Sequence, residues 1–146
     1  MKRIPKIVIS SSQRAIRVPR KRLAALIKFV AHSEGARIGQ VDLAVVNSSE
    51  ISGLNRRFLS HAGPTDVLSF DLSGRDAPGL HAQLVVCGDV AVRQGPLHGQ
   101  KPQHELMLYV VHGLLHLMGH EDTSIRGGVR MHAREEELLR LFLGKP

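Results

Sequence analysis

Cysteine is nearly absent from this sequence, and aromatic residues are scarce. The 146 residues contain one Cys, no Trp, one Tyr and four Phe. A single cysteine cannot form an internal disulfide, so a secreted scaffold held together by cross-links is excluded, and this usage suits a reducing cytoplasm. With so few aromatic side chains, the core has to be mostly aliphatic. We therefore expect Cys87, which ends the apolar run Leu84–Cys87, to be a small buried hydrophobe.

The sequence also has no apolar run long enough to cross a membrane. Its most apolar stretch, Leu106–Met118, is shorter than the ~18 residues that a transmembrane helix requires, and it contains two histidines. The segment Met1–Ser10 is basic, but it does not contain the extended apolar core of a signal peptide. These absences predict a cytoplasmic protein with no membrane partner.

Acidic residues are in deficit relative to basic ones. The chain has 20 Lys and Arg against 13 Asp and Glu, a formal net charge of +7 and a pI near 10.3. A small domain with this balance favours an anionic partner, and nucleic acid is the commonest one. The same charge would also serve solubility alone, so composition does not decide between the two.

The length and the pattern of elements predict one domain, residues 1–146, of the α+β class. Predicted strands cover Lys6–Ser10, Val41–Val46, Asp66–Asp71 and Gln83–Val92. Predicted helices begin at Pro19 and at the capping segment Asn47–Glu50, and further ones cover His104–Met118 and Ser124–Leu143. Because strands and helices do not alternate regularly, we expect a single small mixed sheet packed against helices, with the apolar His104–Met118 helix on it. The acidic run Glu135–Glu137 is expected to be a solvated face.

The most informative pattern is H-x-x-x-H-x-x-G-x-x-D. His112 and His116 are four residues apart in a predicted helix, so their imidazoles share one face and can bind one metal ion. Gly119 is expected to end the helix, because glycine adopts the left-handed conformation at low cost. The chain can then bring Asp122 back to the same ion, and His120 is the alternative third ligand. The competing interpretation is that both histidines are ordinary core residues.

Two histidines, a carboxylate and an open position suit metal-assisted hydrolysis, in which the ion lowers the pKa of bound water to about 7. Helical zinc peptidases carry H-E-x-x-H, in which the glutamate is the general base. Here Gly113 follows His112, and Glu105 is about two helical turns away, so that base is missing. The missing base disfavours a peptidase, and the positive charge favours a phosphodiester substrate.

The same stretch resembles the signature of the YbeY family of bacterial endoribonucleases, H-G-x-L-H-L-x-G-[YH]-D-H. A second block, Leu54–Leu59 with Pro64–Phe70, is similar to that family's L-N-x-x-Y-R-x-K-x-x-P-T-D-V-L-S-F. A third block, Gly88–Val92, is similar to its G-D-I-V-I strand. The three blocks keep the family's order and extend from Leu54 to Asp122.

The resemblance implies a zincin-like arrangement, in which a central buried helix carries one divalent ion, expected to be zinc. It also implies a metal-dependent endoribonuclease that prefers single-stranded RNA and acts in ribosomal RNA maturation, at the small-subunit RNA 3′ end, and in ribosome quality control. The implied partners are precursor ribosomal RNA and the ribosome or its small subunit, with no DNA. The alternatives are a metallopeptidase or other metallohydrolase with the same ligands, and a ribosome-associated factor with a structural metal and weak or lost nuclease activity.

The chain departs from the family pattern at the third ligand. Asp122 stands where the family usually has His, and Glu121 stands at its usual Asp. A carboxylate is a legitimate third zinc ligand, so the predicted metal set is His112, His116 and Asp122.

The second departure concerns basic residues. Leu59 aligns with the family's arginine, which is thought to contact the RNA backbone, and His61 aligns with its lysine. Arg56 and Arg57 lie within one helical turn of Leu59, so they are the predicted RNA-binding residues. Arg57 is also a catalytic candidate. The other catalytic candidate is Asp66, which could orient a metal-bound histidine or cap a turn.

Overall fold

The computed structural model describes residues 4–63, 65–75, 78–120 and 122–144. Along those residues the chain forms β1 (Lys6–Ser11), α1 (Arg20–Ser33), β2 (Ile38–Val46), α2 (Ser48–Leu59), β3 (Val67–Asp71), β4 (Leu80–Cys87), α3 (Gly88–Leu97), α4 (Pro102–Leu117) and α5 (Ile125–Phe142). Pro64 and Glu121, which belong to the family-like blocks, lie outside the described residues.

The four strands form one mixed sheet in the order β1-β2-β4-β3. β1 pairs with β2 in parallel and β2 pairs with β4 in parallel, whereas β3 and β4 run antiparallel. The predicted α+β class, with one small mixed sheet packed against helices, is therefore confirmed.

α4 lies at the centre of the fold, where it contacts β3, β4, α1, α3 and α5. Leu106, Val110 and Leu114 on this helix have no solvent exposure, and they share one continuous core with the buried residues of the sheet and of α1. Burial on nearly all sides explains why the sequence of α4 is apolar rather than amphipathic. None of the helices in the described segments combines the length and apolarity that crossing a bilayer requires.

Gly113 allows α4 to lie close against the sheet. A methyl group added at this position would lie 2.9 Å from Leu84 Cδ2 on β4 and 3.1 Å from Val67 Cγ2 on β3. Both distances are shorter than the ~3.5–4.0 Å of ordinary carbon contacts, so a side chain here would force Leu84, Val67 or the helix itself to shift. Position 113 therefore faces the core, and a residue there could not serve as the general base of a peptidase.

The predicted strand Gln83–Val92 is wrong in its second half. β4 ends at Cys87, and Gly88–Leu97 form helix α3, so the third family-like block is the start of a helix. A short, largely apolar segment cannot be assigned to strand or helix from periodicity alone, and the tertiary structure decides it. Asp89, in the first turn of α3, accepts a 2.7 Å hydrogen bond from the Ser48 backbone N–H, which links the starts of α3 and α2. Cys87 is buried, as predicted.

Candidate active site

The central helix places both predicted histidine ligands on one of its faces. His112 and His116 lie within α4, one turn apart, as the i,i+4 spacing predicts. The His112 side chain is 35% exposed, and His116 is exposed near the end of the helix. Beyond α4, Gly119 adopts a φ of +98°, which confirms the left-handed conformation predicted for this glycine.

His112 has a carboxylate at each of its ring nitrogens. Its Nε2 lies 3.6 Å from Asp122 Oδ2, and its Nδ1 lies 2.6 Å from Glu135 Oε1 on α5. Because a carboxylate only accepts, Nδ1 carries the hydrogen and donates to Glu135. The remaining nitrogen, Nε2, then faces Asp122. This arrangement is typical of metal-binding histidines, whose second N–H is held by a carboxylate.

The carboxylates around His112 change its protonation equilibrium. The hydrogen bond to Glu135 raises the pKa of His112 above its ordinary value, although burial of the imidazole opposes the shift. The charges of Glu135, Asp66 and Asp122 add to the increase. The same negative surroundings would favour a divalent cation at Nε2.

The three predicted ligands are only partly brought together. Among the residues that the structure describes, no group of three His, Cys, Asp or Glu side chains is arranged to hold an ion. His112 and Asp122 are adjacent, and the place of His116 in the set stays a prediction. The donor set itself fits zinc, which accepts two imidazoles and a carboxylate.

The alternative ligand, His120, is engaged elsewhere. Its Nε2 hydrogen-bonds to Glu34 Oε1, just after α1. Glu34 also accepts hydrogen bonds from Arg134 on α5, at 3.1 Å from Nε and 2.8 Å from a terminal guanidinium nitrogen. Burial raises the pKa of Glu34, but the hydrogen bonds from Arg134 and His120 outweigh it and hold that pKa below its ordinary value. Glu34 is therefore a charged partner for His120, which favours Asp122 as the third ligand.

The predicted RNA-binding arginines lie on the surface at the end of α2. Arg56 and Arg57 are exposed, and the Arg57 guanidinium carbon lies 5.9 Å from the centre of the Phe58 ring. Leu59 is 47% exposed, so the aligned position does face solvent. Within the described part of the chain, neither arginine has a hydrogen bond or ion pair with His112. Their roles in RNA binding and catalysis stay predictions.

Asp66 has the turn-capping contact and also faces the site. Its Oδ1 accepts a 2.7 Å hydrogen bond from the Val67 backbone N–H, at the start of β3. Its side chain also lines a cleft of ≈ 540 Å³ beside His112. The cleft is lined by Asp66, His98, Gln100, Glu105, Leu108, Tyr109, His112, His132, Glu135 and Glu136. The two roles predicted for Asp66 are therefore compatible with each other.

Glu135 is the residue that sequence reasoning missed. The run Glu135–Glu137 was expected to be a solvated face, but Glu135 is only 7% exposed and the expectation is wrong for it. Its spacing could have indicated burial, because Glu135 lies four residues after the buried Met131 and three before the buried Leu138, on the same face of α5. A carboxylate on the apolar face of a helix usually has a buried partner, which here is His112.

Known proteins resemble the chain along most of its length. A family model described as endoribonuclease YbeY matches residues 8–142. A protein named endoribonuclease YbeY from Nocardioides sp. is 34% identical over 128 residues, which cover 82% of this chain and 86% of that protein. A protein of the same name from Bacillus licheniformis is 29% identical over 150 residues, covering 93% and 95% of the two chains.

A solved structure has a similar fold. The solution structure of TM1509 from Thermotoga maritima superposes with a TM-score of 0.62 and 27% sequence identity. The match covers 94% of this chain and 89% of that chain. The arrangement of the sheet and the central helix is therefore shared with a protein whose structure is known.

Proposed function

We propose, from the premise that this chain belongs to the YbeY family of endoribonucleases, that it cleaves single-stranded RNA with the aid of one divalent metal ion. The chain is an endoribonuclease, and therefore a hydrolase. The observation that supports the metal site best is the double engagement of His112, with Glu135 at Nδ1 and Asp122 beside Nε2. We interpret residues 1–146 as one YbeY-like metallohydrolase domain.

We infer that His112, His116 and Asp122 hold the ion, and that zinc is the expected metal. Three protein ligands would leave a fourth position open for water or substrate, as in catalytic zinc sites. An ion held by these residues would supply Lewis-acid chemistry, which can activate water and stabilise negative charge on a phosphate. Glu135 keeps the hydrogen on Nδ1, so that Nε2 is the nitrogen available to a metal. Asp66 is the candidate for orienting groups at the edge of the cleft.

The substrate is expected to be precursor ribosomal RNA, cleaved near the 3′ end of the small-subunit RNA, in the cytoplasm and on or near the ribosome. The net charge of +7 supports a polyanionic substrate. Arg56 and Arg57 are the proposed backbone contacts, because they are exposed cations close to the position of Leu59. Neither DNA nor a membrane is an expected partner. A peptidase is not favoured, since Gly113 faces the packed sheet.

The proposal is tested by metal analysis together with cleavage of a labelled single-stranded RNA. The wild-type protein should contain one zinc per chain and cleave the RNA, and a chelator should abolish the cleavage until zinc is restored. His116→Ala should lose both metal and cleavage. The matched control is His32→Ala, because His32 is an exposed histidine at the end of α1 that is not one of the proposed ligands.

Two results would contradict this proposal. Cleavage that survives both the chelator and His116→Ala would come from a contaminating nuclease. Stoichiometric metal without cleavage of any single-stranded RNA would instead favour a ribosome-associated factor with a structural metal.

A further inference from the structure

The positive charge of the chain is concentrated in its first quarter. Residues 1–37, which include β1 and α1, contain ten of the 20 Lys and Arg but only one of the 13 Asp and Glu, a net charge of +9. Residues 38–146, which carry the proposed metal ligands, contain the other ten basic residues and twelve acidic ones, a net charge of −2. The excess positive charge therefore comes from segments other than those that carry the metal ligands.

Helix α1 carries several of these cations where they do not help it to fold. Arg20, Lys21 and Arg22 occupy its first turn, which contains no acidic residue. Cations at the N-terminal end of a helix oppose the helix dipole, so this arrangement lowers the stability of α1. Among the residues that the structure describes, the ion pairs of Lys and Arg side chains all involve Arg134, so no carboxylate compensates these three. An anion from outside the chain would do so.

Arg22 shares a cleft with a second cation. The cleft has a volume of ≈ 500 Å³ and is lined by residues of α1, of the segment that enters α4, and of the end of α5. Its polar side chains include Arg22, Lys101 and Gln103, and Arg22 and Lys101 are both exposed. None of the described residues that line it is Asp or Glu. Two cations on one cleft without a carboxylate favour a bound anion.

This cationic cleft adjoins the cleft beside His112, because Gln100 lines both. The two clefts have opposite charge. Four carboxylates line the cleft beside His112, those of Asp66, Glu105, Glu135 and Glu136. Carboxylates repel phosphates, so an RNA strand that reaches His112 needs cations at the neighbouring phosphates. The cationic cleft supplies them.

We propose that the cleft of Arg22 and Lys101 binds the phosphate backbone of the RNA next to the cleaved bond. Guanidinium and ammonium groups both bind phosphate oxygens, and the Gln103 amide can donate a further hydrogen bond. Backbone contacts carry no sequence information, so this subsite adds affinity and holds the strand in position without selecting a base. The inference rests on the proposed function, because cleavage of RNA is what brings a phosphodiester strand to His112.

The test compares the double variant Arg22→Gln/Lys101→Gln with the wild type over a range of salt concentrations. A labelled single-stranded RNA of mixed sequence is titrated by fluorescence anisotropy with the full chain, in a chelating buffer so that no RNA is cut. Each phosphate contact on a single strand contributes about 0.7 to the slope of log affinity against log salt, so the double variant should lose about 1.4 of that slope. At about 0.1 M salt its affinity should be about 25-fold lower.

The matched control is Arg75→Gln/Arg93→Gln, which removes two exposed cations that line neither cleft. It should lower the affinity by about threefold or less, because only the net charge changes. Arg22 and Lys101 both stand at the start of a helix, where a neutral residue is preferred to a cation. Their replacement should therefore not lower the temperature of thermal unfolding, so that weaker RNA binding is not a loss of fold.

Equal losses of affinity and slope in the two double variants would overturn the subsite, since net charge alone would then account for the binding. Anionic lipid is the other polyanion to exclude. Vesicles of equal parts phosphatidylcholine and phosphatidylglycerol are therefore tested by co-sedimentation. If Arg22→Gln/Lys101→Gln abolished binding to these vesicles and left RNA binding unchanged, the cleft would serve a lipid surface and the RNA subsite would be overturned.

Cleavage of the same RNA by the zinc-loaded protein is measured in parallel, which separates the two inferences. Cleavage by the wild type, with the affinity and slope of Arg22→Gln/Lys101→Gln unchanged, would overturn the subsite and keep the proposed function. Weaker and less salt-dependent RNA binding by that variant, without cleavage of any RNA by the wild type, would keep the phosphate subsite and overturn the proposed function.

Discussion

Replacement of Glu135 by Gln should weaken metal binding while leaving the fold in place. The Glu135 side chain is buried, and its Oε1 lies 2.6 Å from His112 Nδ1, which makes this a short charge-assisted hydrogen bond. Glutamine keeps the shape and can still accept from Nδ1, but the bond becomes a neutral one. Hydrogen bonds to charged groups contribute about 1.5–3 kcal/mol and neutral ones about 0.5–1.5 kcal/mol. The difference, about 1–1.5 kcal/mol, predicts a roughly tenfold weaker metal affinity.

A second effect of the same change has the opposite sign. Glu135 raises the pKa of His112, so in the Gln variant a proton competes less strongly with the metal for this imidazole. We would therefore measure zinc affinity at about pH 8, where competition by the proton is weakest, by titration against a chromophoric chelator. Glu135→Leu removes the acceptor altogether. Its zinc affinity should be up to about a hundredfold lower than that of the wild type, the upper range for carboxylates that support a metal ligand.

The control is Glu136→Gln, because it removes the same charge from the neighbouring residue without touching His112. Thermal unfolding in the absence of metal would report any general loss of stability. If Glu135→Gln binds zinc as tightly as Glu136→Gln, then Glu135 does not support a metal ligand and only fills space between α4 and α5.

Three further predictions concern packing, the third ligand and pH. Gly113→Ala should destabilise the protein by about 1 kcal/mol in urea unfolding, since overpacking costs about 1–3 kcal/mol and outweighs the helix-propensity gain of about 0.5–1 kcal/mol. The control is Gly53→Ala in α2, where an added methyl group has no neighbouring atom within 4 Å, so this variant should show only the helix-propensity gain. Equal changes in unfolding free energy for the two variants would refute the packing argument. Asp122→Ala should weaken zinc binding more than His120→Ala does, and the reverse order would make His120 the third ligand. Because the pKa of Glu34 lies below its ordinary 4.5, its stabilising contribution is present above that pH and is lost as the pH falls through the lowered value. The stability lost in Glu34→Gln should therefore be largest near neutral pH and shrink in acid, and a pH-independent loss would exclude an ionic role.

Structural features that are set by residues close together in the sequence could be predicted from the sequence alone. Asn47 was expected to cap a helix, and its side chain accepts a 2.9 Å hydrogen bond from the Glu50 N–H at the start of α2. The His112 and His116 spacing predicted a shared helix face, and Gly119 predicted the turn that follows. In each of these cases the determining contacts lie within one or two turns of helix, so local geometry suffices.

Structural features that depend on contacts between distant segments could not be predicted from the sequence alone. The boundary at Cys87 is one example, because the sequence pattern did not mark where β4 ends, and the residues that follow form helix α3, which packs against α4. Arg56 and Arg57 are exposed and His116 lies on the predicted helix, but their roles are set by contacts with RNA and metal, which no local pattern specifies.

The sequence by itself determined the pair of histidines, the turn after them and the missing peptidase base. Only the tertiary structure decided what surrounds these residues. Glu135 reaches His112 from 23 positions along the chain, and Glu34 reaches His120 from 86 positions. Such contacts form because α5 and α1 both pack against the buried α4, and no local pattern records which distant carboxylate will meet which imidazole.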